Sequence, residues 1–388
     1  MSLYPTIHVK SREGRRARAG APWLFSNEIE MPALPPGTLV NVVGDDGRAF
    51  GTGFFNGKSL IAVRLIDGAA DATVDAEFLA VKLKRALALR ERLFETPYYR
   101  LVHSEGDGLP GLVVDRFAET CVVQITTAGM EALQAAVLEA LDRAVAPRDV
   151  ILRADAPARA LEGLDSYVKT AKGEAGRIAV EENGVRYFAD VAGGQKTGWY
   201  YDQRDNRAFI AKLARGKSVL DAYCHTGGFA LAAARAGAAE AAGLDSSAPA
   251  LALAEASAAA GSLSCKFVKA DVFEELERLG AAHESFDIVI ADPPPFVKAK
   301  KDLETGAKAY RKLARLAAGA TAKNGFVFLA SCSHNIGPDR FAAECATGIA
   351  RAGRTARLIR QAGAGPDHPV HPMLPESAYL KALVYVLD

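Results

Sequence analysis

A cysteine between two serines, Ser331-Cys332-Ser333, follows an apolar run that extends from Phe326 to Ala330. Upstream, a second apolar run from Ile288 to Ala291 ends in Asp292-Pro293-Pro294-Pro295-Phe296. If both runs are strands of one sheet, their ends bring an acid, a rigid proline turn, an aromatic ring and a thiol to the same edge. This combination predicts covalent chemistry on a flat heterocycle, with a pyrimidine base as the leading candidate.

The chemistry assigned to these residues follows from the weak nucleophilicity of carbon-5 in cytosine and uracil. A Cys332 thiolate that adds at carbon-6 makes carbon-5 enamine-like and able to accept a methyl group from a sulfonium. A base then removes the carbon-5 proton and the thiol is eliminated. Asp292 is predicted to orient and protonate the base, and Phe296 to stack on it. A positive charge from His334 or from a lysine after Asp292 would favour the thiolate.

A glycine loop lies between the predicted strand that begins at Ser218 and a helix that begins near Gly228. Its glycines, Gly227 and Gly228, would let backbone N–H groups approach a ligand at the positive end of that helix. Neither Gly-x-Gly-x-x-Gly nor Gly-x-x-x-x-Gly-Lys-Ser/Thr is present there, which disfavours NAD, FAD and ATP.

Acidic residues end three successive predicted strands, at Asp221, Asp245 and Asp271. A carboxylate at Asp245 can accept from both ribose hydroxyls, and one at Asp271 from an adenine amine. A glycine loop, a ribose acid and a base acid without a phosphate cradle predict S-adenosyl-L-methionine as the cofactor. The other residues predicted to bind it are Tyr223, Cys224, Thr226, Gly227, Gly228, Phe229, Ser246, Val272, Asp292 and Pro293.

The elements that must position these residues alternate regularly after about residue 190. Strands are predicted near 218–223, 240–244, 265–269, 286–291 and 325–330, with helices at 228–237, 248–260, 272–280, 306–322 and 338–352. A last apolar strand is predicted from Tyr379 to Leu387. Such alternation with continuous apolar strands predicts a parallel sheet covered on both faces, with ligands at the carboxyl ends of its strands.

The first half of the chain has a different pattern. Residues 1–72 contain short strands and the hairpin signal Gly44-Asp45-Asp46-Gly47, which predict a small β-barrel or sandwich. An amphipathic helix over 75–95 opens a mixed α/β region in which a second helix is predicted from Met130 to Val145. The predicted domains are therefore 1–72, 73–190 and 191–388.

Composition limits the class of protein. The 388 residues are 49% hydrophobic and 24% charged, which is typical of a soluble globular protein, and no apolar run reaches about 18 residues. The N-terminus has no apolar signal core, so a cytoplasmic protein without membrane contact is expected. Five cysteines without a Cys-x-x-Cys pair indicate neither a disulfide framework nor a zinc site, and no metal is expected.

Two basic clusters stand out against a net charge of only +1. The first includes Arg12, Arg15 and Arg16, and the second follows the proline turn and comprises Lys298, Lys300, Lys301, Lys308, Arg311 and Lys312. A solvated face is the competing interpretation of each cluster. Their position relative to the predicted site favours RNA contacts, which we assign to Phe296, Lys298, Arg12, Arg15 and Arg16.

With these motifs the chain resembles the class I rRNA methyltransferases of the RlmI type, which carry an N-terminal PUA domain and make 5-methylcytosine in 23S rRNA. The segments that carry the resemblance are Pro22 to Ser26, Glu105 to Asp115, Lys196 to Arg204, Thr226 to Phe229, Asp292 to Pro294, Ser331 to Ser333 and Asp367 to Pro369. The resemblance implies a PUA-like β-barrel, a central α/β domain and a C-terminal Rossmann-like methyltransferase sheet. It implies that Cys332 is the nucleophile and that Gln203 and Arg204 lie near the methionine part of the cofactor. The chain departs from the family pattern at Pro295 and at His334-Asn335, both on the substrate side.

The leading hypothesis is a methyltransferase that acts on cytosine carbon-5 of ribosomal RNA. A second hypothesis is methylation of an exocyclic amine or a ring nitrogen, for which no thiol is needed. A third is an RNA-binding assembly protein that keeps the fold without turnover. Ribosomal RNA is the expected partner, and a homodimer is left open.

Overall fold

A computed structural model of the chain describes residues 2–194 and 197–388. The chain divides into two compact units. The first comprises Met1–Arg177, Asp190–Trp199 and Pro366–Pro375, and the second comprises Ile178–Ala189, Tyr200–Gly365 and Glu376–Asp388. The three domain boundaries predicted from the sequence stay a prediction.

The first unit begins with a five-stranded sheet in the order β1-β3-β4-β5-β2. Its strands are β1 (Thr6–His8), β2 (Trp23–Phe25), β3 (Thr38–Val43), β4 (Ala49–Phe55) and β5 (Ile61–Asp67), with a short helix α1 (Arg15–Arg18). Strands β3 and β4 are antiparallel, which confirms the hairpin predicted at residues 44–47. Buried aliphatic side chains such as Leu24, Val40 and Val63 form its core.

A second five-stranded sheet of this unit has the order β10-β9-β8-β7-β6. Its strands are β6 (Tyr98–His103), β7 (Leu112–Phe117), β8 (Thr120–Ile125), β9 (Asp149–Ala154) and β10 (Tyr167–Lys172). The helices are α2 (Ala76–Leu93), α3 (Ala128–Ala132), α4 (Gln134–Val145) and α5 (Ala158–Leu161). The helix predicted over 130–145 is confirmed over most of its length, with two differences. Helical structure begins earlier, at Ala128, where the Thr127 side chain caps α3 by accepting from the Met130 N–H, and Leu133 separates α3 from α4.

Several segments that carry the family resemblance form a buried polar network within this unit. Glu105 accepts hydrogen bonds from the Trp23 indole N–H at 2.8 Å and from the Arg64 guanidinium at 2.9 Å. The buried guanidinium of Arg90 donates to both carboxylate oxygens of Asp107. Because buried charges are stable only when paired, these motif residues stabilise the fold.

The Asp367-His368-Pro369 segment joins the same network. The Asp367 carboxylate lies 2.9 Å from His368 Nδ1, and the His368 ring packs at a tilt against the His103 ring with centroids 4.9 Å apart. Burial lowers the pKa of His103 to about 2, so this imidazole is neutral. A Cβ on Gly106 would lie 1.9 Å from the Pro369 carbonyl oxygen, so only glycine fits there.

One further motif position belongs to this unit. The Thr197 hydroxyl donates to Asp115 at 2.6 Å, and Asp115 also receives the Arg100 guanidinium at 2.8 Å. Lys196 of the same motif lies outside the described residues. These contacts give the beginning of the Lys196 to Arg204 motif a structural role.

The second unit contains a seven-stranded sheet in the order β15-β14-β13-β16-β17-β19-β18. The strands are β13 (Ser218–Ala222), β14 (Glu240–Asp245), β15 (Lys266–Lys269), β16 (Phe286–Ala291), β17 (Thr321–Ser331), β18 (Ala356–Ala362) and β19 (Lys381–Leu387). Strands β11 (Arg177–Glu182) and β12 (Val185–Asp190) pair separately. The helices are α6 (Arg204–Leu213), α7 (Gly228–Arg235), α8 (Ala248–Gly261), α9 (Val272–Ala281), α10 (Leu303–Gly319) and α11 (Pro338–Arg351).

The parallel sheet predicted from the alternation is confirmed for β13 to β17, and the last apolar strand predicted over 379–387 is present as β19. Strand β19 pairs antiparallel with both β17 and β18. No α-helix joins β18 to β19, and a parallel connection requires a crossover of a dozen or more residues that is usually helical. Strand β18, at the edge of the sheet, was not predicted.

Both faces of this sheet are covered, as predicted. Side chains of α9, α10 and α11, such as Leu276, Leu313 and Phe341, pack on one face. Ile210 of α6 and Ala233 of α7 pack on the other. Among the described residues, no helix is both long enough and apolar enough to cross a bilayer.

Candidate active site

The loop between β13 and α7 has an unusual backbone. Tyr223 and His225 adopt left-handed conformations, with φ of 66° and 50°, and Gly227 follows with φ of 81°. The left-handed conformation is energetically unfavourable for non-glycine residues, and such backbone strain concentrates at ligand sites. The loop thus has a strained backbone at two non-glycine positions, and its role in binding the cofactor stays a prediction.

Asp221 lies fully inside the sheet just before this loop. Its Oδ2 accepts hydrogen bonds from the N–H groups of Phe229 at 3.2 Å and Ala230 at 3.0 Å, which orders the start of α7. Its Oδ1 is buried and has no hydrogen-bond partner among the described residues. Burial raises the pKa of Asp221 to about 7, and the negative charge of Asp292 acts in the same direction. The carboxyl group thus supports the loop through one oxygen, and its cofactor contact through the other oxygen stays a prediction.

Two further acids end the neighbouring strands. Asp245 accepts from the His225 N–H at 2.9 Å through Oδ2 and from the Ser247 N–H at 2.8 Å through Oδ1. Each carboxylate oxygen has a second lone pair, so Asp245 can still accept two hydroxyl groups. Asp271 caps α9 by accepting from the Glu274 N–H at 3.1 Å, and its side chain is exposed.

The other predicted cofactor residues surround these acids. Cys224, Thr226, Gly227, Gly228, Phe229, Val272 and Pro293 are buried, Tyr223 is half-buried and Ser246 is exposed. The predicted cofactor residues include acceptor oxygens and no lysine. This set therefore fits a nucleoside with hydroxyl and amino groups, such as S-adenosyl-L-methionine, better than a polyphosphate. Over the part of the chain that the structure describes, no group of three or more His, Cys, Asp or Glu is placed to hold a metal ion.

Gln203 connects the Asp-Gln-Arg segment to the end of β16. Its Nε2 donates to Asp292 Oδ2 at 2.8 Å, and its Oε1 accepts from Asn206 Nδ2 at 2.7 Å. Arg204 has different partners, since its Nε lies 3.6 Å from Glu182 and its guanidinium lies 5.3 Å from the centre of the Tyr201 ring. Gln203 thus lies beside Asp292 at the end of β16, and the cofactor roles of Gln203 and Arg204 stay predictions.

The Ser331-Cys332-Ser333 turn is fixed by hydrogen bonds on both sides of the thiol. The Tyr310 hydroxyl lies 2.8 Å from the hydroxyl oxygens of both serines. The Val297 N–H donates to Ser333 Oγ at 3.2 Å. Both serines are buried and Cys332 is half-buried, so the network holds the thiol at the end of β17.

Lys381 is a neighbour of this turn that sequence reasoning missed. It pairs with Ser331 across the β17–β19 ladder, and its ammonium donates to the Ser333 carbonyl at 2.6 Å. Burial lowers the pKa of Lys381, and Cys332 has the opposite, smaller effect on that pKa. Sequence analysis assigned the positive charge near the thiol to His334 or to a lysine after Asp292. A lysine that opens an otherwise apolar strand was the available signal, because lysine is rarely buried without a partner.

Tyr200 is a second residue that sequence reasoning left without a role. Its ring packs edge-on against His225 of the glycine loop, with centroids 5.3 Å apart. Burial raises the pKa of the Tyr200 phenol, and the negative charges of Asp202 and Asp292 act in the same direction. Tyr200 therefore lies near Asp292 as well as near the loop between β13 and α7.

The predicted substrate residues have diverse surroundings. Phe296 is half-buried, with its ring centroid 4.8 Å from that of Tyr310 and 6.0 Å from that of Phe273. Lys298 is exposed, and its carbonyl accepts from Asn335 Nδ2 at 3.0 Å. Phe296 thus packs within an aromatic cluster, and its stacking on a base stays a prediction.

The predicted RNA contacts near the N-terminus belong to the first unit. Arg12 and Arg15 are exposed. Arg16 is half-buried, and its guanidinium donates to the Met373 carbonyl at 3.0 Å. Their contacts with RNA stay predictions.

Comparison with known proteins places this site in a family. Residues 113–386 match the model described as S-adenosylmethionine-dependent methyltransferase, and residues 7–67 match the model described as PUA-like domain. This chain belongs to the S-adenosylmethionine-dependent methyltransferase family. It is 36% identical to the Ribosomal RNA large subunit methyltransferase I of Shewanella frigidimarina over 97% of this chain and 98% of that protein.

Solved structures agree on the fold. A SAM-dependent methyltransferase from Streptococcus mutans superposes with a TM-score of 0.83 and 20% identity, covering 98% of this chain and all of that one. A methyltransferase in complex with S-adenosylhomocysteine gives 0.86 and 21%, again over 98% of this chain and all of the other. The predicted fold class, the RlmI-type resemblance, the methyltransferase activity and the S-adenosyl-L-methionine cofactor are confirmed.

Proposed function

We propose that this methyltransferase modifies carbon-5 of a cytosine in 23S ribosomal RNA through a covalent bond between Cys332 and the base. The observation that carries the proposal is the turn that holds Cys332, with the Lys381 ammonium on the carbonyl of the next residue. The names of the curated relatives support ribosomal RNA as the substrate. The PUA-like match supports RNA binding by the N-terminal sheet. We place the reaction in the cytoplasm.

Each step assigns a task to a side chain. S-Adenosyl-L-methionine, when bound, supplies the methyl group from its sulfonium. The Cys332 thiolate forms a bond to carbon-6, and Asp292 protonates the ring nitrogen, so that carbon-5 becomes an enamine carbon. After methylation a base removes the carbon-5 proton and the ring nitrogen returns its proton to Asp292. The carbon–sulfur bond breaks at the same stage, which restores the thiolate and the 5,6 double bond. Lys381 stabilises the thiolate electrostatically.

The cofactor is held by the loop residues in this proposal. Asp245 accepts from the ribose hydroxyls, Asp271 from the adenine amine, and Asp221 offers its unpartnered oxygen. Gln203 fixes the plane of the Asp292 carboxyl group through its 2.8 Å hydrogen bond. These roles have a direct check: D245A should lose cofactor binding in a calorimetric titration, whereas C332A should keep it.

The decisive experiment combines two readouts. RNA that carries 5-fluorocytosine should form a denaturation-resistant adduct with the wild-type protein and none with C332A, because fluorine cannot leave carbon-5 as a proton does. Mass mapping of 23S rRNA from cells that lack the gene should show one cytosine without its methyl group.

The alternative of methylating an exocyclic amine or a ring nitrogen makes the opposite prediction. No thiol is needed there, so C332A would methylate RNA at the wild-type rate and no adduct would form. Failure of the wild-type protein to bind S-adenosyl-L-methionine would instead support an RNA-binding assembly protein. The homodimer stays a prediction, which sedimentation of the purified protein would check.

A further inference from the structure

Helix α10 presents a stripe of cations on the side away from the core. Lys308, Arg311, Lys312 and Arg315 are spaced at i, i+3, i+4 and i+7, so they lie on one face of the helix. The other face is buried and includes Tyr310, whose hydroxyl holds Ser331 and Ser333. One face of α10 thus holds the Ser331-Cys332-Ser333 turn (the thiol turn), and the opposite face presents a basic surface.

Helix α11 packs beside the stripe and contributes to a cavity there. Arg351, in the last turn of α11, joins the four residues of α10 in lining a cavity of about 380 Å³. The helices approach closely at Gly348, where a Cβ would lie 2.4 Å from the Arg311 carbonyl oxygen and 3.0 Å from the Arg315 nitrogen. Glycine at 348 therefore permits the approach that brings Arg351 to the stripe.

The charges around the cavity do not balance. Glu344 accepts from Arg311 at 2.6 Å, and Glu277 lies 3.0 Å from Lys312 and 4.0 Å from Arg315. The lining has five cations, namely the four of the stripe and Arg351, against these two carboxylates, and 5 − 2 leaves +3. Glu344 is also shared with Arg340 outside the cavity, which weakens its compensation further.

Two of the cations are available to a ligand. Lys308 and Arg351 are exposed and have no carboxylate partner among residues 2–194 and 197–388. Arg311, by contrast, is oriented by Glu344, and that hydrogen bond raises the pKa of its guanidinium. A fixed guanidinium beside free cations suits an anion with several oxygens, because arginine binds phosphate through parallel hydrogen bonds.

We propose that this cavity binds the phosphate backbone of the RNA substrate, separately from the site that receives the base. The inference rests on the proposed function, because it takes RNA as the substrate. No aromatic side chain lines the cavity, so it offers phosphate contacts and no surface on which a base could stack. The stripe from Lys308 to Arg315 rises about 10 Å along α10, which allows contacts with neighbouring phosphates.

The test compares two double variants of the full-length protein. K308Q/R351Q removes the unpaired cations, and K212Q/R215Q removes an exposed lysine and arginine of the same unit that do not line the cavity. Affinity for transcribed 23S rRNA is measured between about 50 and 200 mM salt. The plot of log K against log salt should become shallower by about 1.4 to 1.8 in K308Q/R351Q, since each lost phosphate contact contributes about 0.7 to 0.9. The control should keep the wild-type slope.

Folding and cofactor binding provide the reference. The four substituted positions are all exposed, so the thermal unfolding and the S-adenosyl-L-methionine affinity of both variants should equal those of the wild type. An unchanged slope in K308Q/R351Q, or an equal decrease in the control, overturns the inference while leaving rRNA methylation intact. If the wild-type protein neither binds nor methylates 23S rRNA, the proposed function fails and the inference fails with it.

Discussion

Removal of the Tyr310 hydroxyl tests how the thiol turn is held. The phenol oxygen lies 2.8 Å from the hydroxyl oxygens of Ser331 and Ser333, whose exposed fractions are 0% and 1%. In Y310F these buried hydroxyls lose a partner that water cannot replace. Each stranded group costs about 1–3 kcal/mol. Ser331 and Ser333 each keep one backbone N–H donor, whereas the Phe296 N–H also loses its acceptor, so the unfolding free energy should fall by about 2–4 kcal/mol.

The same change should loosen the position of Cys332. A shift of a reacting atom by about 1 Å can cost about 100-fold in rate, so kcat should fall by up to about 100-fold while the cofactor affinity is kept. Urea unfolding gives the stability, and single-turnover methylation of 23S rRNA gives the rate.

Tyr385 provides the matched control. It is a buried tyrosine of β19 whose hydroxyl makes no hydrogen bond with the described residues. Y385F should therefore cost less than about 1 kcal/mol and leave the rate unchanged. If Y310F is no more destabilising than Y385F, the network does not hold the turn and the reasoning is refuted.

Three more predictions follow from other buried contacts. The folded-state pKa of Asp221 is about 7 against 3.8, so the folded chain holds a proton that the unfolded chain loses between these values. Unfolding free energy should fall by up to about 4 kcal/mol as pH rises through that window, and urea titrations of D221N should lack this slope. K381M should change stability little, because relief of the buried charge offsets the lost hydrogen bond to Ser333, but alkylation of Cys332 by iodoacetamide should slow several-fold at neutral pH. G106A should destabilise the chain by about 1–3 kcal/mol in urea, because its Cβ would meet the Pro369 carbonyl, whereas G176A, with open space around it, should not.

The alternation of apolar runs and helical segments predicted the sheet of the second unit well. Strands β13 and β16 and the second half of β17 lie inside the sheet and are largely buried, so their sequences are mostly apolar and easy to recognise. Strand β18 was missed because it lies at the sheet edge, and Arg357 and Arg360 interrupt its apolar pattern. An edge strand needs only one hydrogen-bonded neighbour, which leaves its side chains free to be polar.

Sequence could identify the motifs but not separate their roles. Glu105, Asp107 and Asp367 belong to motifs as specific as the one that contains Cys332. Their carboxylates nevertheless neutralise or orient groups within the first unit. Asp221 was predicted to hold the cofactor, and the structure shows that it also fixes the first turn of α7. A motif shows that a particular side chain is needed at a position. Only the contacts in the structure distinguish a side chain that stabilises the fold from one that can bind a ligand.

The omission of Lys381 has a topological cause. In a parallel sheet, ligands meet the carboxyl ends of strands, so site residues are expected directly after apolar runs in the sequence. Strand β19 is reversed, and the edge reached by the last residue of β17 is therefore reached by the first residue of β19. Ser331 pairs with Lys381 for this reason, and the ammonium meets the carbonyl next to Cys332. In a sheet with one reversed strand, the residue that opens that strand belongs to the site, and here it supplies the charge that the proposed thiolate chemistry requires.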